Sequence, residues 1–278
     1  MEGGSVNNVH VVGGSVSNSK GSGYGWSGGL IGEVMAGLPG ASYSVCDYTS
    51  VTIKNCSTSN SVSGNSCTGG LIGFMCSNGY AINIENTWSS GSVTGADYAT
   101  GGLIGYNVVY SGGSDEGNGT TTIKNCYATG NVTGADNWVG GFIGYNCTDL
   151  SGDKIIIQNC WASGNVSGKE RTGGFVGFND GIDSSSKISM SSCYSTGNVS
   201  GTKYVGGFVG YNKNTYSYAS FSKGTVSGSS NTGGFDGYSE GATYSSCHFN
   251  NSTSDSGSGL TGHAASWWTE KNICSVTT

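Results

Sequence analysis

Asn125-Cys126-Tyr127-Ala128-Thr129-Gly130-Asn131-Val132-Thr133-Gly134, followed shortly by Gly140-Gly141-Phe142-Ile143-Gly144, decides the fold because the chain writes it again and again. The glycine-rich half occurs as Gly28-Gly29-Leu30-Ile31-Gly32, Gly69-Gly70-Leu71-Ile72-Gly73 and Gly101-Gly102-Leu103-Ile104-Gly105. It returns at Gly140, at Gly173-Gly174-Phe175-Val176-Gly177 and at Gly206-Gly207-Phe208-Val209-Gly210. The last clear copy, Gly233-Gly234-Phe235-Asp236-Gly237, puts a carboxylate where the others carry an apolar residue. Repetition at such a period marks a solenoid, in which each unit buries its apolar side only against its neighbours.

Two positions keep constant spacing within the unit. Cys56 precedes Val62 by the same step that joins Cys126 to Val132, Cys160 to Val166 and Cys193 to Val199. The apolar leaders Leu71, Leu103, Phe142, Phe175, Phe208 and Phe235 follow at nearly constant distance and, with Leu30, are the expected core. Thr120–Ile123 and Ile155–Ile157 are β-branched runs too short for ordinary helices. The expected fold is all-β: a three-sided parallel β-helix of about seven to eight coils, with three short strands per coil. Residues 1–278 form one domain, 9–262 hold the recognisable repeats, and 263–278 are expected to form a short C-terminal cap. The motif glycines are expected to supply positive φ and close approach between coils. Length varies most between the glycine motif and the next strand, as from Asn107 to Thr120, so loops gather along one edge.

Composition narrows the function classes. The chain has 278 residues with 52 glycines and one proline, and glycine lacks the three-residue period of collagen. Aromatics at 11% supply apolar side chains for a core that a disordered chain lacks. Eleven basic against 17 acidic residues, with no basic stripe, argue against nucleic acid. No apolar run approaches the length that spans a membrane. Met1-Glu2-Gly3-Gly4 already lies in a repeat-like segment and reads as the start of an excised piece.

The Gly-Leu-any-Gly core, best seen in Gly70-Leu71-Ile72-Gly73 and Gly102-Leu103-Ile104-Gly105, resembles the GLUG repeat family. Asp236, Thr261 and the stretched first unit between Val16 and Leu30 depart from that pattern. The resemblance implies a secreted or surface-attached microbial protein, adhesin-like, with the repeats as a non-catalytic part of a larger chain.

Three columns merit attention. Cys56, Cys126, Cys160, Cys193 and Cys247 share one repeat position, which reads as a structural thiol column; Cys67 and Cys76, flanking one glycine motif, are the expected local disulfide. Trp88, Tyr127, Trp161, Tyr194 and Phe221 stand immediately after that position. Simple alternation puts these aromatics on the face of Ile53, Ile84, Ile123 and Ile157, favouring internal packing, and leaves the cysteines outside. A corner at Asn55, Asn86, Asn125 and Asn159 would reset the alternation and turn the cysteines inward. With the aromatics exposed, the rod carries a stripe able to stack on flat sugar faces. Tyr106, Tyr145 and Tyr211, in the column with Phe74, Phe178 and Tyr238, offer a second platform.

Other chemistry is thinner. Asp97 and Asp136 align on successive units, but the next place Glu170 and Lys203 nearby, so the converging carboxylates of a polysaccharide-acting β-helix enzyme are not assembled. His10, His248 and His263 lie near the ends, away from any internal cysteine nucleophile. The row Thr94, Thr133, Ser167, Ser200 and Ser227 invites an ice-binding comparison, although Thr-any-Thr rows are not maintained. The expectation is a non-catalytic surface-adhesion or spacer module with no metal or cofactor. Its partner would be a glycan or a surface protein, bound through one of the aromatic columns.

Overall fold

The computed structural model describes residues 4–18, 25–37, 50–110, 118–183, 187–250 and 273–276. The described residues wind into a parallel β-solenoid with seven five-strand coils and two strands of an eighth. Each complete coil carries five short strands rather than three. In the fifth coil these are Lys154–Gln158, Trp161–Ala162, Val166–Ser167, Glu170–Gly173 and Val176–Asp180. Equivalent strands stack in register into five parallel sheets, here numbered first to fifth in that order. Of the expected C-terminal cap, only Ile273–Val276 is described. It adds a ninth strand to the second sheet beside Cys247–Asn250. Thr261, which departs from the repeat pattern within Gly259-Leu260-Thr261-Gly262, lies outside the described residues.

The extra bends come from non-glycine residues in left-handed conformation. Between the first and second sheets stand Asn8, Asn55, Asn86, Asn125, Asn159, Ser192, Ala219 and Ser246, with φ between 47° and 57°. Asparagine tolerates this region because its short polar side chain bonds locally. Here the bonds run between coils: Asn86 Nδ2 donates to Asn55 Oδ1 (3.2 Å), and Asn125 Nδ2 to Asn86 Oδ1 (3.2 Å). None of the motif glycines takes positive φ, contrary to expectation.

Close approach is what the motif glycines supply. A Cβ built on Gly141 would sit 2.1 Å from the carbonyl oxygen of Gly174, and one on Gly174 2.2 Å from that of Gly207. Side chains of the second sheet press on the same doublet from within the coil. Thr58 Oγ1 donates to the Gly70 carbonyl (2.7 Å), Ser195 Oγ to that of Gly207 (2.6 Å), and Ala162 lies against Gly141. This waist divides the interior. On one side lies the main core, with the leaders Leu71, Leu103, Phe142, Phe175, Phe208 and Phe235 fully buried as expected, while Leu30 in the first coil is only partly buried against it. Phe142, Phe175 and Phe208 stack at 4.7 and 4.9 Å with planes within 6°. On the other side a small valine core forms from Val132, Val166, Val199 and Val226 with Val139 and Val205.

A polar column runs through the main core. Asn107, Asn146, Asn179 and Asn212 are fully buried. Each amide donates to the next: Asn107 to Asn146 (2.7 Å), Asn146 to Asn179 (2.8 Å) and Asn179 to Asn212 (3.3 Å). Such a ladder keeps buried amides paired, which a lone buried asparagine could not. It ends on Asp236, whose Oδ2 accepts from Asn212 Nδ2 (2.8 Å) and from the Tyr244 hydroxyl. Its Oδ1 is buried with no hydrogen-bond partner.

Two outcomes are expected. Gly141→Ala forces a methyl into backbone and should cost about 1–3 kcal/mol, and Phe175→Ala, which opens a cavity in the ring stack, about 3–5 kcal/mol, both read by urea unfolding. Burial pushes the Asp236 carboxyl up to about 7, against the opposing pull of Tyr244 and Asn212. A raised carboxyl stabilises the fold fully below its unfolded value near pH ~4, and that contribution declines as pH rises to about 7. Melting temperatures across this window should fall with pH in the wild type, and the slope should flatten in Asp236→Asn.

Candidate functional site

The left-handed corner decides which columns face water. Immediately after it the cysteine turns inward: Cys56, Cys126, Cys160, Cys193 and Cys247 are all fully buried. Their thiols are tied to backbone carbonyls, as Cys126 Sγ to Lys124 O (3.0 Å) and Cys160 Sγ to Gln158 O (3.2 Å). Burial raises the Cys126 and Cys160 thiols well above their ordinary value, which leaves them protonated and poor nucleophiles. The expected Cys67–Cys76 bridge is not formed; both thiols are free. Cys67 occupies a left-handed position (φ 44°) in the fourth sheet and Cys76 lies on the fifth, so the intervening turn holds them on different walls. Burial pushes them up to about 12 and about 11.

With the cysteine inside, the next residue points out and the one after it points in. Trp88, Tyr127, Trp161 and Tyr194 are therefore half-buried on the outer face of the second sheet, and Phe221 is 39% exposed. Ser89, Ala128, Ala162, Ser195 and Ser222 take the inward places. The alternation that favoured internal packing is broken by the corner, so these rings do not join Ile123 and Ile157 in the core.

The rings form one continuous stack along the rod. Centroid separations are 5.5 Å for Trp88–Tyr127, 4.5 Å for Tyr127–Trp161, 5.8 Å for Trp161–Tyr194 and 4.8 Å for Tyr194–Phe221. Interplanar angles are 9°, 6°, 1° and 3°. Carbon contact distance is about 3.5 Å, so rings at these separations are offset like shingles, each leaving an edge and part of a face uncovered. The neighbouring outward row, Ser90, Thr129, Ser163 and Thr196, is uncharged and rich in hydroxyls. His10 continues the stack at one end, 5.9 Å from Trp88, and its Nδ1 lies 2.7 Å from Ser57 Oγ.

The second aromatic column lies on the outer face of the fifth sheet. Tyr106, Tyr145, Phe178 and Tyr211 follow one another at 4.8–5.0 Å, but with planes inclined by 18° to 69°. Tyr145 donates to Asp180 (3.2 Å) and Tyr211 to Glu240 (2.9 Å). Burial raises the Tyr106 and Tyr145 hydroxyls, which stay protonated. Sequence reasoning missed the partners of this column. Trp138 stacks on Tyr145 at 4.5 Å, and Arg171 lies over the Phe178 ring at 5.3 Å. These residues share a repeat position but no residue type, so no column of like residues pointed to them.

The remaining candidates are engaged singly. Asp136 pairs with Lys169 (3.5 Å), and Asp97 accepts from Ser66 Oγ at 3.5 Å. Thr94, Thr133, Ser167, Ser200 and Ser227 are exposed on the third sheet. Beside them the Asn131 and Asn165 amide oxygens accept backbone N–H groups of the next coil at 2.9 and 3.0 Å. Among the described residues, no group of three or more His, Cys, Asp or Glu side chains could hold a metal ion. No helix among them is long and apolar enough to cross a membrane.

Comparison with known proteins finds no matching family model, no significantly similar curated protein and no significantly similar solved structure.

Proposed function

We propose that this rod is a non-catalytic surface-adhesion module of the GLUG-repeat kind, carried outside the cell as part of a larger protein, and that it contacts glycans through the stacked column on its second sheet. The observation that carries the proposal is the ring ladder itself: five aromatics in successive coils, in register and partly open to solvent. A pure spacer has no need of aromatics at this outward position, since small hydroxyl residues fill the adjacent outward row equally well.

The geometry suits an extended, uncharged chain of sugars. The uncovered ring faces offer apolar contact, the hydroxyl row beside them offers donors and acceptors, and both repeat at the coil spacing of roughly 4.8 Å. Affinity then accumulates over several weak subsites. Neutral glycans are favoured over charged ones because neither outward row carries a charge from the third to the sixth coil.

The test is a glycan-array screen of the chain followed by titration of the strongest neutral ligand. Trp161→Ala removes the central ring and should weaken binding about three- to tenfold, with the melting temperature little changed. Absence of any glycan ligand, or cleavage of a bound polysaccharide by the purified chain, would sink the proposal.

A further inference from the structure

The corner between the fourth and fifth sheets holds a feature that the neutral ring ladder does not explain. Along the fourth sheet, Asn137 pairs with Glu170 and Glu170 with Lys203, and two residues on Val139 pairs with Thr172 and Thr172 with Val205. The residue between is left out of the ladder in left-handed conformation: Trp138 (φ 62°), Arg171 (φ 51°) and Tyr204 (φ 56°). These side chains lie over the outer column of the fifth sheet.

Arg171 is held there by rings. Its guanidinium carbon lies 5.3 Å from the Phe178 centroid and 5.6 Å from those of Tyr204 and Tyr211. The Lys203 ammonium lies 4.5 Å from the Tyr204 ring. Tyr204 is thus flanked by two cations. Charge pairing at the corner is unequal. Asp180 is matched by Lys213 at 3.1 Å, and Glu240 by the Tyr211 hydroxyl at 2.9 Å. Arg171 has only Glu170, at 3.8 Å, and Lys203 forms no ion pair with a carboxylate of the described residues. Two donors beneath the surface, Arg171 Nε and Trp138 Nε1, have no hydrogen-bond partner. Buried donors are rarely left so.

We infer that this corner is a second binding site, separate from the ring ladder, and that it takes a sugar bearing a carboxylate. The planar guanidinium of Arg171 matches a carboxylate with two parallel hydrogen bonds, and its contacts with three rings restrict it beforehand. Lys203 supplies a second charge, held beside the first by the Tyr204 ring. The chain carries a formal charge of −6, so an anionic polymer is repelled by most of its surface and is drawn to a corner where two cations face one carboxylate, Glu170.

The test titrates the full chain by calorimetry with three probes: an oligogalacturonate, a sulfated dextran and a neutral cello-oligosaccharide. Oligogalacturonate should bind, more weakly as salt is raised. Arg171→Gln should lower its affinity about tenfold or more and Lys203→Gln by a smaller factor, with circular-dichroism melts unchanged. Failure of oligogalacturonate to bind the wild type, or unchanged affinity in the Arg171→Gln/Lys203→Gln double variant, overturns the site. Sulfated dextran binding at least as tightly, and weakened equally by Arg171→Gln, overturns the assignment to a carboxylate. The cello-oligosaccharide reports on the neutral ladder, so its binding distinguishes failure of this site from failure of the adhesion proposal.

Discussion

The second glycine of each doublet is the constraint on which the rod depends. From Gly29 to Gly207 one coil's backbone lies so close to the next that a methyl group would overlap a carbonyl oxygen, at Gly234 it would overlap the Phe249 ring, and the second sheet presses in from across the same coil. Only a residue without a side chain can stand there. The waist it creates brings opposite walls within hydrogen-bond reach, through Thr58, Ser195 and Ser222, and separates the large apolar core from the small valine core. Because coils meet at these fixed points, each residue sits above its counterpart, and every column inherits its neighbours.

Stacking in register rewards side chains that bind copies of themselves. Phenylalanine does so inside the rod by ring contact, asparagine by amide-to-amide hydrogen bonds, and the outer aromatics by offset stacking. The same rule makes a mismatch visible. Asp236 has no amide to continue the internal ladder and keeps one oxygen without a partner, so the ladder's last described step is a protonation site instead of another amide. Arg171 is the corresponding mismatch outside: a cation set between the aromatic Trp138 and Tyr204 of the neighbouring coils.

The two outer surfaces differ in chemistry. The second-sheet ladder is aromatic, uncharged and periodic over several coils, as suits a polymer read by contact area. The fourth–fifth sheet corner is local and concentrates cations among inclined rings, as suits a charged substituent. On the proposed reading, a rod carrying both would bind through many weak contacts along its length and gain specificity at one level of the stack.

Much of this was written in the chain itself. Period, strand type, parallel stacking, the inward Leu/Phe leaders and the identity of each column follow from repetition, because equivalent positions in a solenoid must share an environment. Which way a column faces did not follow. The asparagines before Cys56, Cys126 and Cys160 offer a left-handed corner that shifts the alternation by one, but simple alternation argues the opposite facing, and serine or alanine stands at the same corner in later coils. Hence tertiary structure alone decided that the cysteines are inside and the aromatics outside, and that Cys67 and Cys76 stand on different walls. It alone gathered Trp138, Arg171 and Tyr204 into one surface, because backbone left out of the ladder is a property of the coil's bend and leaves no periodic mark in the sequence.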